Sequence, residues 1–176
     1  ALINSMPGAL AQGLIWGIMA IGVYITYKIL NFADLTVDGT MCTGGAVCIM
    51  MVTAGHNIWF SMLIATLAGM LAGLVTGIFH TFMGIPAILS GILTQLALYS
   101  VNLKIMGKSN QAINVMKYDL LVSLRYIRNK EILKNPIFVV AIFCLVIILI
   151  MFWFFKTEIG SSLRATGSNP NMGRAQ

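Results

Sequence analysis

The chain has 176 residues, 59% of them hydrophobic and 9% charged, with a mean hydropathy of +0.90 and a formal net charge of +6. Soluble domains carry about 25% charged residues, so this composition excludes an ordinary water-soluble globule, a disordered chain and a nucleic-acid-binding module. The charge is also unevenly placed: residues 1–103 contain only Lys28, Asp34 and Asp38, whereas 104–176 hold ten Lys/Arg and three acids.

The first predicted span runs from about Gly8 to Ile29 and closes on Tyr24, Tyr27 and Lys28, an interfacial anchor set. It lacks a basic leader and is long enough to cross a bilayer, unlike a cleavable signal peptide. A polar break, Asn31 to Gly39, follows. The next apolar stretch, to Ala54, has a charge-free part of about 16 residues, marginal for a crossing that takes about 20. Either the aspartates dip into the membrane at its start, or the element is broken or re-entrant. A third span runs from about Ile58 to Phe79 and a fourth from about Ala87 to Leu103, separated by Gly84-Ile85-Pro86. Residues 104–135 form the one long polar loop, in which Ile113, Met116, Leu120, Leu124 and Ile127 recur at helical spacing beside Lys117, Arg125 and Arg128. That pattern predicts an amphipathic helix at headgroup level. Pro136 opens a fifth span to Phe155, and a polar tail covers 156–176. The fold class is therefore an all-α polytopic bundle of about five membrane segments. A chain that begins without Met and stops at Gln176 without a tail pattern predicts the N-terminal part of something longer.

Several residues could carry chemistry. Asp34 and Asp38 are the only acids in the first 118 residues. On a helix they would share a face and could line a pathway, since acids inside a membrane are functional candidates. The plainer reading makes Asp34 a helix cap and Asp38-Gly39 a turn. Gln95 and Asn102, about two turns apart in the fourth span, read as groups that bond between helices. Gly69, Gly73 and Gly77 continue from Ala65 at every fourth position and predict a close helix-packing face, and Gly13 and Gly17 repeat the theme. His56 and His80 sit at span ends and read as interfacial. Cys42, Cys48 and Cys144 have neither metal-ligand nor disulfide spacing. No catalytic triad, paired catalytic carboxylates or phosphate-cradling loop is visible, which argues for a conduit or a structural membrane part rather than an enzyme.

Two segments go further. The run Leu30-Asn31-Phe32-Ala33-Asp34-Leu35-Thr36-Val37-Asp38-Gly39-Thr40 directly follows Gly22-Val23-Tyr24-Ile25-Thr26-Tyr27. It resembles the second-helix motif of bacterial ABC transporter permeases in the branched-chain amino acid and sugar permease superfamily. The form Asp-Leu-Thr-Val-Asp-Gly is most similar to the subgroup associated with tryptophan or other amino-acid uptake. Gly160-Ser161-Ser162-Leu163-Arg164-Ala165-Thr166-Gly167-Ser168-Asn169-Pro170 resembles the segment through which such permeases dock on their ATPase. Gly91 to Thr94 and Tyr99 to Leu103 also look like that subgroup.

The resemblance implies a multi-pass permease of the bacterial cytoplasmic membrane. Its implied partners are a second permease copy, a separate ATP-binding subunit and an extracytoplasmic substrate-binding protein. ATP would be bound by the partner, and no cofactor by this chain. It implies that Asn31, Asp34, Thr36 and Asp38 lie along the substrate pathway. It further implies ATPase coupling through Gly160, Leu163, Arg164, Ala165, Thr166, Gly167, Asn169 and Pro170. Residues 1–176 would form one incomplete transmembrane domain, with 104–135 extracytoplasmic and 156–176 cytoplasmic. The positive-inside rule taken alone points the other way, because loop 104–135 carries seven Lys/Arg. Two other readings of the residues stand beside this one: a secondary transporter or channel that couples ions through Asp34 and Asp38, and a non-transporting scaffold packed through its glycine face.

Overall fold

The computed structural model describes residues 2–113, 117 and 136–168. The expected amphipathic helix (Ile113 and Lys117 apart) lies outside these residues, as do Asn169 and Pro170 of the coupling segment. Among the described residues every regular element is a helix. Helix α1 (Leu2–Tyr24) runs into a π-helical turn, Ile25–Ile29; α2 spans Val37–Thr53, α3 Ile58–Thr81, α4 Ala87–Met106, α5 Pro136–Lys156 and α6 Glu158–Ser168. Four helical segments are long and apolar enough to cross a membrane: α1 with its π turn, α3, α4 and α5. The second, α2, has 17 residues and falls short, as the sequence predicts.

The chain forms two compact units, residues 33–121 and residues 1–32 with 122–176. In the latter, α1 packs on α5 through Ala11, Val140 and Cys144, and the Cys144 thiol donates to the Leu14 carbonyl at 3.3 Å. In the former, α2, α3 and α4 pack around small residues instead of large ones. Thr43, Ala46, Ser61, Ala72, Thr76, Ser90 and Thr94 are buried, while Leu63, Leu67, Met70, Leu71 and Leu74 of α3 point outward. With lipid as the solvent, large apolar side chains gain nothing by turning inward, and small ones let backbones approach. The hydroxyls of Thr43, Ser61, Ser90 and Thr94 bond back to carbonyls three or four residues earlier. That satisfies them where water cannot reach.

The glycine face of α3 is used unevenly. A Cβ at Gly69 would lie 3.9 Å from the Thr40 carbonyl oxygen of α2, and one at Gly44 of α2 would lie 3.5 Å from the Ala65 oxygen. A Cβ at Gly73 or Gly77 would meet nothing within 4 Å. The tightest glycine contact in this unit is at Gly91 of α4, where a Cβ would lie 3.1 Å from Leu35 N and 3.4 Å from Leu35 Cβ. The Gly91→Val variant is therefore expected to lower the detergent-solubilised melting midpoint, by overpacking worth about 1–3 kcal/mol; a midpoint equal to wild type would show that Leu35 does not rest on α4.

These contacts fix how α2 lies. Leu35 meets Gly91, and Gly39 meets Gln95 and Leu98, so α2 and α4 run in the same direction in step. Gln95 is roughly 12 Å along α4 at 1.5 Å per residue. The start of α2 thus lies beside the middle of a membrane-length helix. Thr40 opposite Gly69 gives the same level along α3. The structure thus sets the aspartate segment level with the middle of α3 and α4 and follows it with a short helix.

Candidate functional site

Residues 33–36 carry irregular backbone to the start of α2. Inside a membrane such backbone needs partners within the protein. Asp34 provides them: its carboxylate accepts from the Thr36 amide at 2.8 Å and the Thr36 hydroxyl at 2.5 Å. Thr36 is fully buried, and its carbonyl accepts from the Thr40 amide to begin the helix. Asp34 therefore secures the entry to α2 from a position before the helix. Asp38 lies in the first turn of α2, where a carboxylate suits the helix N-terminus, so Asp38-Gly39 is helical rather than a turn. Because Asp34 precedes the helix, the two acids do not share a helical face.

Beside Asp38 is a recess of about 540 Å³ between α2 and α4, lined by Asp38, Gly39, Cys42, Ile92, Gln95, Leu96, Tyr99 and Asn102. Gly39 is buried because α4 presses on it: a Cβ there would lie 3.3 Å from Leu98 Cδ1 and 3.4 Å from Gln95 Cα. Asn102 is 3% exposed, and its Oδ1 atom has no hydrogen-bond partner. Gln95 and Asn102, expected to bond between helices, line the same recess as Asp38. Their signal in the sequence was polarity within an apolar span. What the sequence could not supply is the offset that sets α2 against α4.

The unit formed by α1, α5 and α6 holds a second feature. The π turn arises where Leu30 N–H reaches back five residues to Ile25 O at 3.1 Å, and Phe32 N–H reaches Thr26 O at 2.9 Å. Asn31 then takes φ 51°, a left-handed conformation that asparagine tolerates better than most residues. Asn31 lines an open recess of about 840 Å³ with Tyr24, Tyr27, Lys28, Phe155 and Arg164 among others. Of the expected pathway residues, Asn31 lies in this recess, Asp38 in the one between α2 and α4, and Asp34 and Thr36 beneath the start of α2.

The described part of the expected coupling segment lies in α6, which is about three turns long. Thr157 makes the corner with α5: its amide and hydroxyl both donate to Phe154 O, at 3.0 and 2.6 Å. A Cβ at Gly160 would collide with Phe154 O and lie 2.5 Å from Phe155 Cα. A Cβ at Gly167 would collide with the Ile29 carbonyl oxygen and lie 3.0 Å from Leu30 Cα. Glycine at both positions lets α6 lie backbone to backbone against the end of α5 and the π turn of α1. Arg164 sits 5.4 Å over the Phe155 ring and stays exposed, as do Ala165 and Thr166, while Leu163 is half-buried. Among the described residues no group of three or more His, Cys, Asp or Glu could hold a metal ion.

Comparison with known proteins gives consistent matches. Residues 5–176 match the family model described as the branched-chain amino acid transport system permease component. A tyrosine transport system permease protein of Clostridioides difficile is 41% identical over 96% of this chain and 54% of its own length. An uncharacterized protein of Rickettsia prowazekii is 34% identical over 96% of this chain and 57% of its own. A fructose import permease protein of Bifidobacterium longum is 27% identical over 97% and 49%. The chain spans about half the length of these curated relatives. No solved structure matches it.

Proposed function

We propose a specific transport role from one premise: the chain belongs to the family of branched-chain amino acid transport system permease components. Such a component is not itself an enzyme, and here it is an all-helical, multi-pass membrane protein. On our reading it is part of the permease of an ATP-driven importer in a bacterial cytoplasmic membrane. It pairs with a second copy, receives solute from an extracytoplasmic binding protein, and moves a small solute, an amino acid, by alternating access. The observation that carries this reading is the family match, which runs from α1 through α6. The tyrosine permease relative favours an aromatic amino acid as cargo.

The geometry of α6 supports the coupling step. A helix held by backbone contacts at Gly160 and Gly167 has little slack, so a partner pushing on its exposed face would move the ends of α5 and α1 together. Arg164 is the residue on that face best suited to a carboxylate on the partner, because stacking on Phe155 holds it in place. Solute would pass Asp38, with Asp34 and Thr36 holding the backbone beneath it and Asn31 near the far end of α1.

The test is uptake of labelled tyrosine into proteoliposomes holding the intact permease, its ATPase and its binding protein. ATP-dependent uptake is expected; uptake that follows an ion gradient without nucleotide would sink the importer reading. In the same preparation Arg164→Glu is expected to weaken ATPase association by about tenfold or more, measured by co-purification. Unchanged co-purification would remove Arg164 from the contact.

A further inference from the structure

We propose that the recess between α2 and α4 binds the ammonium group of the transported solute, held by the Asp38 carboxylate and the side-chain oxygens of Asn102 and Gln95. The inference rests on the permease reading above and adds to it a site and a chemical group.

Three observations meet at this recess. The first is depth. Asp38 is an exposed carboxylate at the level of the middle of α3 and α4. An ionised acid there is costly against lipid, so the face that carries it belongs toward water or protein. The second is chemistry. The polar lining holds one carboxylate and two amide side chains, and neither Lys nor Arg is among the lining residues. The Tyr99 hydroxyl also lines it. Each amide brings N–H donors as well as an oxygen, and the one formal charge is negative. The third is an unsatisfied group: Asn102 is 3% exposed, and its Oδ1 has no partner. A buried acceptor left unpaired is destabilising, and a turn of the Asn102 side chain toward the recess would let a donor there satisfy it.

A primary ammonium fits this set. It brings one positive charge and three N–H donors, against one carboxylate and two neutral oxygens. A divalent metal fits poorly, since only one anionic ligand is present and no group of three metal-ligating residues occurs among the described residues. The volume, about 540 Å³, is within the range of small-solute sites. Ile92, Leu96 and the Tyr99 ring supply an apolar wall for the rest of an amino acid. Asp34 is not among the residues lining the recess, and Thr36 already takes its Oδ1 atom.

Cys42 lines the recess and offers a native reporter. Permeabilised membrane vesicles containing the intact permease would be treated with two thiol reagents of similar size. One is the cationic 2-aminoethyl methanethiosulfonate, the other the anionic 2-sulfonatoethyl methanethiosulfonate, and labelling at Cys42 is read by peptide mass. The cationic reagent is expected to react about tenfold faster or more, given the nearby Asp38 charge. L-Tyrosine in sodium-free buffer should slow that reaction, whereas 3-(4-hydroxyphenyl)propionate, which lacks the amine, should not. Asp38→Asn should abolish the charge preference and the protection. Labelling blind to charge, an unreactive Cys42, or protection by sodium but not by tyrosine would overturn the site. Uptake, measured in sealed vesicles that also hold the ATPase and the binding protein, separates this failure from that of its premise. If wild-type vesicles transport tyrosine and Asp38→Asn keeps uptake within about twofold, the site is wrong and the permease reading stands. If wild-type vesicles transport no amino acid, the amino-acid reading falls, and the site falls with it.

Discussion

Gly167→Ala is expected to lift α6 off the end of α1 and to abolish ATP-driven uptake, although it adds a single methyl group. The methyl would overlap the Ile29 carbonyl oxygen and come to 3.0 Å from both the Ile29 carbonyl carbon and Leu30 Cα. All three are backbone atoms, so no rotamer change relieves the overlap. Overpacking of this kind costs about 1–3 kcal/mol, more than the few side-chain contacts of an eleven-residue helix readily offset. Gly160→Ala should act alike at the other end, against Phe154 and Phe155. Hydrogen exchange gives the direct reading: amides of 158–168 should lose protection in both variants, while those of α3 and α4 keep theirs. Protection unchanged in α6 would mean that its backbone contacts are not what holds it. Ser162→Ala, on the exposed face, leaves the contacts in place and favours the helix, and serves as the control.

The second large effect is expected at Asp34. Asp34→Ala leaves the buried Thr36 amide and hydroxyl without the acceptor they share at 2.8 and 2.5 Å. At about 1–3 kcal/mol for each unsatisfied buried donor, the entry to α2 should come apart before the rest of the protein. Asp34→Asn keeps one carbonyl oxygen and should fall between alanine and wild type. Melting midpoints in detergent would give this order, and an alanine variant as stable as wild type would show that the turn is held by other means. Asp38→Asn should barely move the midpoint, because Asp38 contributes charge at a helix start, worth about 0.3–1 kcal/mol. The two aspartates of one motif would thus separate into a structural and a solute-facing role.

Much of the fold is legible from the length of apolar runs, because a bilayer fixes how long a crossing helix must be. Spans three, four and five fall within three residues of α3, α4 and α5 at each end. The shortness of α2 was legible too, though not the level at which it starts. Its depth depends on the contact of Leu35 with Gly91 and of Gly39 with Gln95, which no local pattern encodes. Burial was the least legible property. Where lipid replaces water, hydropathy cannot tell Leu63, which faces out, from Ala72, which is buried. The glycine face illustrates this: four-residue spacing marks Gly69, Gly73 and Gly77 alike, yet only Gly69 has α2 beside it. Asp38 was visible as an acid in an apolar region, and Gln95 and Asn102 as polar residues in a span; their convergence was not. The demand for glycine at 160 and 167 came only through resemblance, since the close approach of α6 to α1 joins residues far apart in sequence.

The hydroxyls of Thr43, Ser61, Ser90 and Thr94 have a mechanical consequence. Each spends its hydrogen bond within its own helix, so the faces that α2, α3 and α4 turn to one another are stitched by no bond from these groups. Van der Waals contact between small, smooth surfaces resists separation but hardly resists shear. Sliding one of these helices past its neighbour would break no bond from these four hydroxyls. These four bonds hold each helix to itself and leave the seams between helices to packing alone, as at Leu35 on Gly91 and Leu98 on Gly39.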